Sequence, residues 1–211
     1  MAYDLEEQEK LDAIRDWWAR YGTLCVILAF AVAAGVLGWR GWQWYQSSQN
    51  AQAMSYFEAL ESASREDTPE AHARIEAASQ TLRSDFAKSG YTSRAVLIAA
   101  WSLQQRGELE AAKEQLQWLI GNSSDTAMVS LARLRLAGVL LELQAYDEAL
   151  AQLQNAPASF VGLYADRRGD VYAAQGQTQQ ALTEWQQALT VLADDPVSQI
   201  VQLKLDAIGE Q

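Results

Sequence analysis

Gly176-Gln-Thr-Gln-Gln-Ala181 reads as a tight turn followed, five positions on, by a small residue. The same outline stands at Gly107-Glu-Leu-Glu-Ala-Ala112 and, with Gln in place of the first Gly, at Gln144-Ala-Tyr-Asp-Glu-Ala149. The closing alanines are 37 and 32 residues apart. Self-similarity at such a period is the mark of one supersecondary unit stacked several times. The small residue has a mechanical reason: it lies where two helices of a hairpin cross, and a larger side chain would hold them apart. Around it, apolar residues follow the helical period, as in Leu131, Leu134, Ala137, Leu140 and Leu141, and no stretch alternates with period two.

Working outward, breaks fall at Pro69, Gly90, Gly107, Gly121 to Ser124, Asn155 to Pro157, Gly176 and Asp194 to Pro196. They divide the chain after Gln46 into predicted helices of roughly 12 to 18 residues. The last repeat carries Gly169, Tyr172, Gly176, Ala181, Trp185 and Ala188 at the spacing of a tetratricopeptide repeat, whose period is roughly 34 residues. The middle repeat carries Leu136, Ala137, Tyr146, Ala149 and Ala156; the first keeps Gly107, Ala112 and Leu116. The predicted fold is therefore all-α, with a tetratricopeptide-like, right-handed solenoid of helical hairpins over residues 46–211. Residues 50–89 read as a further helix pair without the consensus. Ser198 to Ile208 reads as a terminal helix covering a face otherwise open to water.

The N-terminal part follows other rules. From Tyr21 to Trp39 there is no charged residue, and eight of the positions are Leu, Val, Ile or Phe. About 20 helical residues span a hydrocarbon layer of roughly 30 Å. Five of the eight tryptophans (Trp17, Trp18, Trp39, Trp42 and Trp44) flank the run, where an aromatic belt belongs. A single transmembrane helix is predicted, with residues 1–20 as a tail and 21–45 as the anchor with its flanks. A cleaved leader fits poorly, because the first 20 residues hold six acidic residues against three basic ones. Lys10, Arg15 and Arg20 precede the run while Arg40 alone follows closely, which predicts a cytoplasmic N-terminus and an exported repeat domain. Ala31, Ala34, Gly35, Gly38 and Gly41 form a slim stripe that either admits a second helix or reflects the ordinary composition of membrane helices.

Composition narrows the function. A net charge of −11 lacks the basic footprint that nucleic acid requires. One Cys and one His exclude almost every His/Cys metal site and any intramolecular disulfide. His72, among Glu70, Arg74 and Glu76, reads as a surface residue. Asp147-Glu148 and Asp194-Asp195 sit at predicted turns or helix starts, where they complement the helix dipole. Asn122-Ser-Ser124 is a formal sequon that also reads as a polar loop. No phosphate loop, nucleophile elbow or CxxC motif is present, and no enzyme, metal or cofactor is predicted.

Repeat domains of this kind bind segments in the face lined by the first helix of each hairpin. Alignment of the repeats puts Arg94, Leu97, Trp101, Leu134, Leu141, Asp166 and Asp170 there. Leu97, Trp101 and Leu163 stand where a carboxylate clamp would need basic or Asn residues, so capture of acidic C-termini is not expected. The apolar members serve either as groove or as packing between repeats.

The order of parts resembles the YfgM family, ancillary subunits of the bacterial SecYEG translocon. The resemblance rests on an acidic tail ending in Trp17-Trp18, a membrane exit at Gly38-Trp39-Arg40-Gly41-Trp42, and a last repeat opened by Ala165-Asp-Arg-Arg-Gly169. It implies a non-enzymatic adaptor in the bacterial inner membrane, its repeat domain in the periplasm. Implied partners are the SecYEG translocon, a membrane-anchored periplasmic prolyl isomerase chaperone, exported polypeptides and the lipid bilayer. Two rival readings of the architecture are a scaffold for another envelope assembly complex and a regulator acting through the tail, where Leu11, Ile14, Trp18 and Tyr21 make a helical stripe.

Overall fold

In the computed structural model residues 2–209 are described, with side chains for 9–208. Met1, Glu210 and Gln211, the outermost residues of the expected tail and repeat domain, lie outside the described residues. The chain divides into two compact units, Met1–Ala51 and Gln52–Gln211. Helix α1 is assigned over Ala2–Ala63. Eight further α-helices follow: α2 (Pro69–Asp85), α3 (Gly90–Gln105), α4 (Leu109–Asn122), α5 (Thr126–Glu142), α6 (Tyr146–Gln152), α7 (Val161–Ala174), α8 (Thr178–Val191) and α9 (Val197–Gly209). No strand occurs among the described residues. The architecture is all-α, as the periodicity predicts.

In the first unit, α1 is the one described helix long and apolar enough to cross a membrane. Its large apolar side chains face outward, from Val26 at 45% exposed to Phe30 at 73%, as they should where lipid is the solvent. Rings cluster at both ends of the uncharged run, Trp17 against Trp18 and Tyr21 on one side and Trp42 against Tyr45 on the other. The small residues Ala31, Ala34, Gly35, Gly38 and Gly41 are all exposed, and a Cβ added at Gly35, Gly38 or Gly41 would meet nothing within 4 Å.

In the second unit, α3/α4, α5/α6 and α7/α8 are the three hairpins, and α9 packs on α8. The three internal turns share one device. Gly107, Gln144 and Gly176 take φ of 76°, 59° and 74°. Each following N–H then reaches back to close a Schellman motif: Glu108 to the Leu103 carbonyl, Ala145 to Leu140 and Gln177 to Tyr172, at 2.8–2.9 Å. The first pair, from the end of α1 to α2, turns differently. There the Thr68 side chain accepts the Ala71 N–H and Pro69 occupies the first helical turn. That difference explains why residues 50–89 lack the repeat consensus.

Gln144 thus occupies backbone that favours glycine. An L-residue there costs about 1–2 kcal/mol, while glycine loses roughly 0.5–1 kcal/mol in unfolded-chain entropy. Gln144→Gly is expected to stabilise the domain by up to about 1 kcal/mol, and Gly176→Ala to destabilise it. Thermal melts of the full chain in detergent check both; a loss on Gln144→Gly would mean that its side chain carries the turn.

Helix lengths depart from expectation at α6, which has seven residues instead of the dozen or more predicted. Asn155 turns left-handed at φ 54°, and Pro157, with no N–H to donate, leads into a 3-10 turn at Ala158–Phe160. The stack is held by buried side chains that each helix shares with both neighbours. On α3, Ala95 and Ala99 pack toward Leu60, Ile75 and Leu82, whereas Val96, Leu97, Ala100 and Leu103 pack toward Leu116, Leu136 and Leu140. Ala112, Ala149 and Ala181 are each 0% exposed. Tyr164 of α7, also buried, donates its hydroxyl to the Ser130 carbonyl of α5 at 2.8 Å, and burial raises its pKa.

Candidate functional site

The seven residues expected on the partner-binding face do not share one environment. Arg94 and Trp101, both on α3, are exposed, and Trp101 presents half its surface to solvent. Leu97, between them, is buried in the core. Leu134 and Leu141 of α5 are half-buried and pack against the same core. Asp166 and Asp170 of α7 are engaged from α9: Lys204 Nζ lies 2.7 Å from Asp166 Oδ1 and 2.7 Å from Asp170 Oδ1. The terminal helix therefore occupies the last-repeat end of this face, and the open part is the α3 part.

The acidic pair has its own electrostatics. Asp170 Oδ1 accepts the Trp185 indole N–H at 3.3 Å, and Arg167 lies 3.3 Å from its other oxygen. Burial raises the Asp170 pKa and the neighbouring Asp166 charge adds to this, against the opposing pull of Lys204 and Arg167. A carboxyl raised on folding binds protons more readily in the native state, so its contribution to stability is present at low pH and lost as pH rises through the folded pKa. Asp170→Asn removes that titration and keeps an acceptor for Trp185. The melting temperature of the variant minus that of the protein should become more negative from pH 7 to pH 4. The opposite trend would show that Lys204 and Arg167 outweigh burial.

Beside Trp101 the structure forms a cleft of about 320 Å³. The turn Ser64 to Asp67, the first half of α2 with His72 and Ile75, and the end of α3 with Trp101, Ser102, Gln105 and Arg106 line it. Ile75 and Ser102 are buried and make the floor; Trp101 is a wall. The charged groups around it are matched: Arg65 lies 3.2 Å from Glu61, Arg74 2.7 Å from Glu66, and His72 Nε2 3.2 Å from Asp67. Arg106 binds Glu76 and, at 2.8 Å, Glu108. Of the residues lining it, sequence reasoning placed only Trp101 on the expected partner-binding face. His72 is less surface-like than expected, its side chain being 21% exposed. The turn at residues 64–67 carries no repeat signal, so only its packing against α3 reveals it. No group of three or more His, Cys, Asp or Glu that could hold a metal ion occurs among the described residues.

An anchor-length apolar helix together with stacked hairpins closed by a shared turn defines a membrane-anchored tetratricopeptide-like repeat protein. The family described as tetratricopeptide repeat-like domain matches residues 15–210. An "Ancillary SecYEG translocon subunit" of Neisseria gonorrhoeae (strain ATCC 700825 / FA 1090) is 33% identical over 210 residues, covering 99% of this chain and 100% of the relative. Proteins of the same name from Haemophilus influenzae (strain ATCC 51907 / DSM 11121 / KW20 / Rd) and Escherichia coli (strain K12) are 30% and 26% identical. They cover 89% and 96% of this chain, and 91% and 97% of their own lengths. The chain belongs to this family, the YfgM-type ancillary translocon subunits.

Proposed function

We propose that the protein is a non-enzymatic, single-pass adaptor of the SecYEG translocon in the bacterial inner membrane. Residues 1–20 lie in the cytoplasm, 21–45 in the bilayer and 46–211 in the periplasm. The repeat domain receives exported polypeptides and passes them to periplasmic chaperones, among them a membrane-anchored prolyl isomerase, through the face that holds Arg94 and Trp101. The observation that carries this reading is end-to-end similarity, anchor included, to a relative named for the translocon. A soluble peptide-binding repeat domain would have no use for the anchor. The basic residues before the uncharged run supply the orientation.

Crosslinking in intact membranes followed by affinity purification tests the reading. SecYEG subunits should be recovered with the full chain, and subunits of another envelope machine in their place would overturn it. Protease added to spheroplasts should digest the repeat domain and spare the tail. A protected repeat domain would reverse the orientation and remove the periplasmic role.

A further inference from the structure

We propose that the cleft beside Trp101 is a receptor for one large uncharged side chain, aromatic or leucine, carried by an extended unfolded polypeptide. The proposal rests on the adaptor reading only for the source of that polypeptide; the chemistry of the cleft stands apart from it.

Size comes first. Pockets for small ligands span roughly 300–1,000 Å³, and this one, at about 320 Å³, is at the bottom of that range. It takes one or two side chains and not a folded surface. The wall comes next. Of the three tryptophans in the second unit, Trp118 has Arg83 4.9 Å over its ring, and Trp185 is buried beneath Lys204. Trp101 keeps half its surface in water, although Ala100, Ser102 and Leu103 around it are buried. An exposed indole beside the buried side chain of Ile75, encircled by polar residues, has the anatomy of a binding hot spot with its water-excluding rim.

Charge selects the occupant. Arg65, Arg74, His72 and Arg106 each face a carboxylate already, at Glu61, Glu66, Asp67, and Glu76 with Glu108. An entering carboxylate would have to displace one of these partners, and an entering ammonium would find every carboxylate engaged. Either would otherwise be desolvated without a counter-charge, which costs more than the contact returns. A neutral apolar side chain meets no such penalty. Folded proteins keep such side chains inside, so a cleft of this kind distinguishes a chain that has not yet folded.

The test uses the full chain in lipid nanodiscs. Fluorescent ten-residue Gly/Ser peptides carry a central pair of Phe-Leu, Ser-Ser, Asp-Asp or Lys-Lys, and fluorescence anisotropy reads binding. The Phe-Leu peptide should bind at least tenfold more tightly than the other three and not to empty nanodiscs. Trp101→Ala should weaken it at least tenfold with an unchanged melting temperature. Gln105→Glu, which puts an unmatched charge on the rim, should also weaken it, while Gln179→Glu on α8 should not. No binding by the Phe-Leu peptide, equal binding by empty nanodiscs, preference for a charged peptide, or full binding by Trp101→Ala would each overturn the proposal. If Trp101→Ala lowers the melt, Gln105→Glu decides: undiminished binding overturns it. Crosslinking to SecYEG is read on the same variants. Translocon contact retained without peptide binding to the unmodified chain sinks the cleft and leaves the adaptor; peptide binding without translocon contact does the reverse.

Discussion

Trp185→Ala should cost the repeat domain about 3–5 kcal/mol, the usual range for truncating a buried aromatic side chain. Trp185 is 3% exposed and anchors the cluster of Ala165, Ala181, Ala188 and Val201, with Leu205 and Ile208 of α9 packed against it. Its indole N–H donates to the Asp166 carbonyl at 3.2 Å and faces Asp170 Oδ1. Truncation would leave a void and remove that donor in the place where α7, α8 and α9 meet. Each 1 kcal/mol moves the melt by roughly 2–4 °C in a chain of this size, so a drop of about 6–20 °C is expected. Circular dichroism melts of the full chain in detergent read it. Trp101→Ala, half-exposed in the folded state, is the internal comparison and should leave the melt nearly unchanged. A larger fall for Trp101→Ala than for Trp185→Ala would reverse the assignment of the two tryptophans.

The second large effect concerns the hairpin crossings. Ala149→Trp and Ala181→Trp insert an indole where the existing methyl group has no exposed surface, and overpacking typically costs about 1–3 kcal/mol, occasionally more. The last hairpin has little slack, since even a Cβ added at Gly169 would overlap the Trp185 ring. Ala181→Trp should therefore be the more damaging of the two. Gln179→Trp, two residues away on the exposed side of α8, should be almost silent. A melt in which Gln179→Trp is the worst of the three would place the helix crossings elsewhere.

Much of this fold can be read without coordinates because its signals are local. The transmembrane assignment needs only a length of uncharged chain and the aromatic residues at its ends. The hairpins need only a turn that tolerates left-handed backbone and a small residue at a set distance; Gly107 and Gly176 announce their turns by type. Gln144 was found through Ala149, since its own residue type does not demand a positive φ. Helix α6 is shorter than the general expectation because the turn at Gln144 and the break at Asn155 to Pro157 stand close together in the chain.

The environment of the residues expected on the partner-binding face was only partly legible, and the reason is rotational. Repeat alignment places Leu97 and Trp101 on the same line of α3, one helical turn apart. A packed helix rarely presents a flat face: Leu97 turns into the core shared with α5, where the Arg135 guanidinium donates to its carbonyl at 3.0 Å, and Trp101 remains outside. The same alignment places Asp166 and Asp170 beside the open positions. Lys204, about 35 residues later, comes back to them only because α9 folds against α8.

Sequence alone determined the anchor, the helical class, the repeat period and the three shared turns, because each depends on residues within one or two helical turns of one another. Tertiary structure decided which candidate side chains meet solvent, that Lys204 of α9 engages the acidic residues Asp166 and Asp170, and that the turn at residues 64–67 lines a cleft with Trp101. Those outcomes depend on how helices roll about their axes when their side chains interdigitate. Interdigitation depends on the shapes of residues far apart in the chain, and the periodicity of any single helix does not contain it.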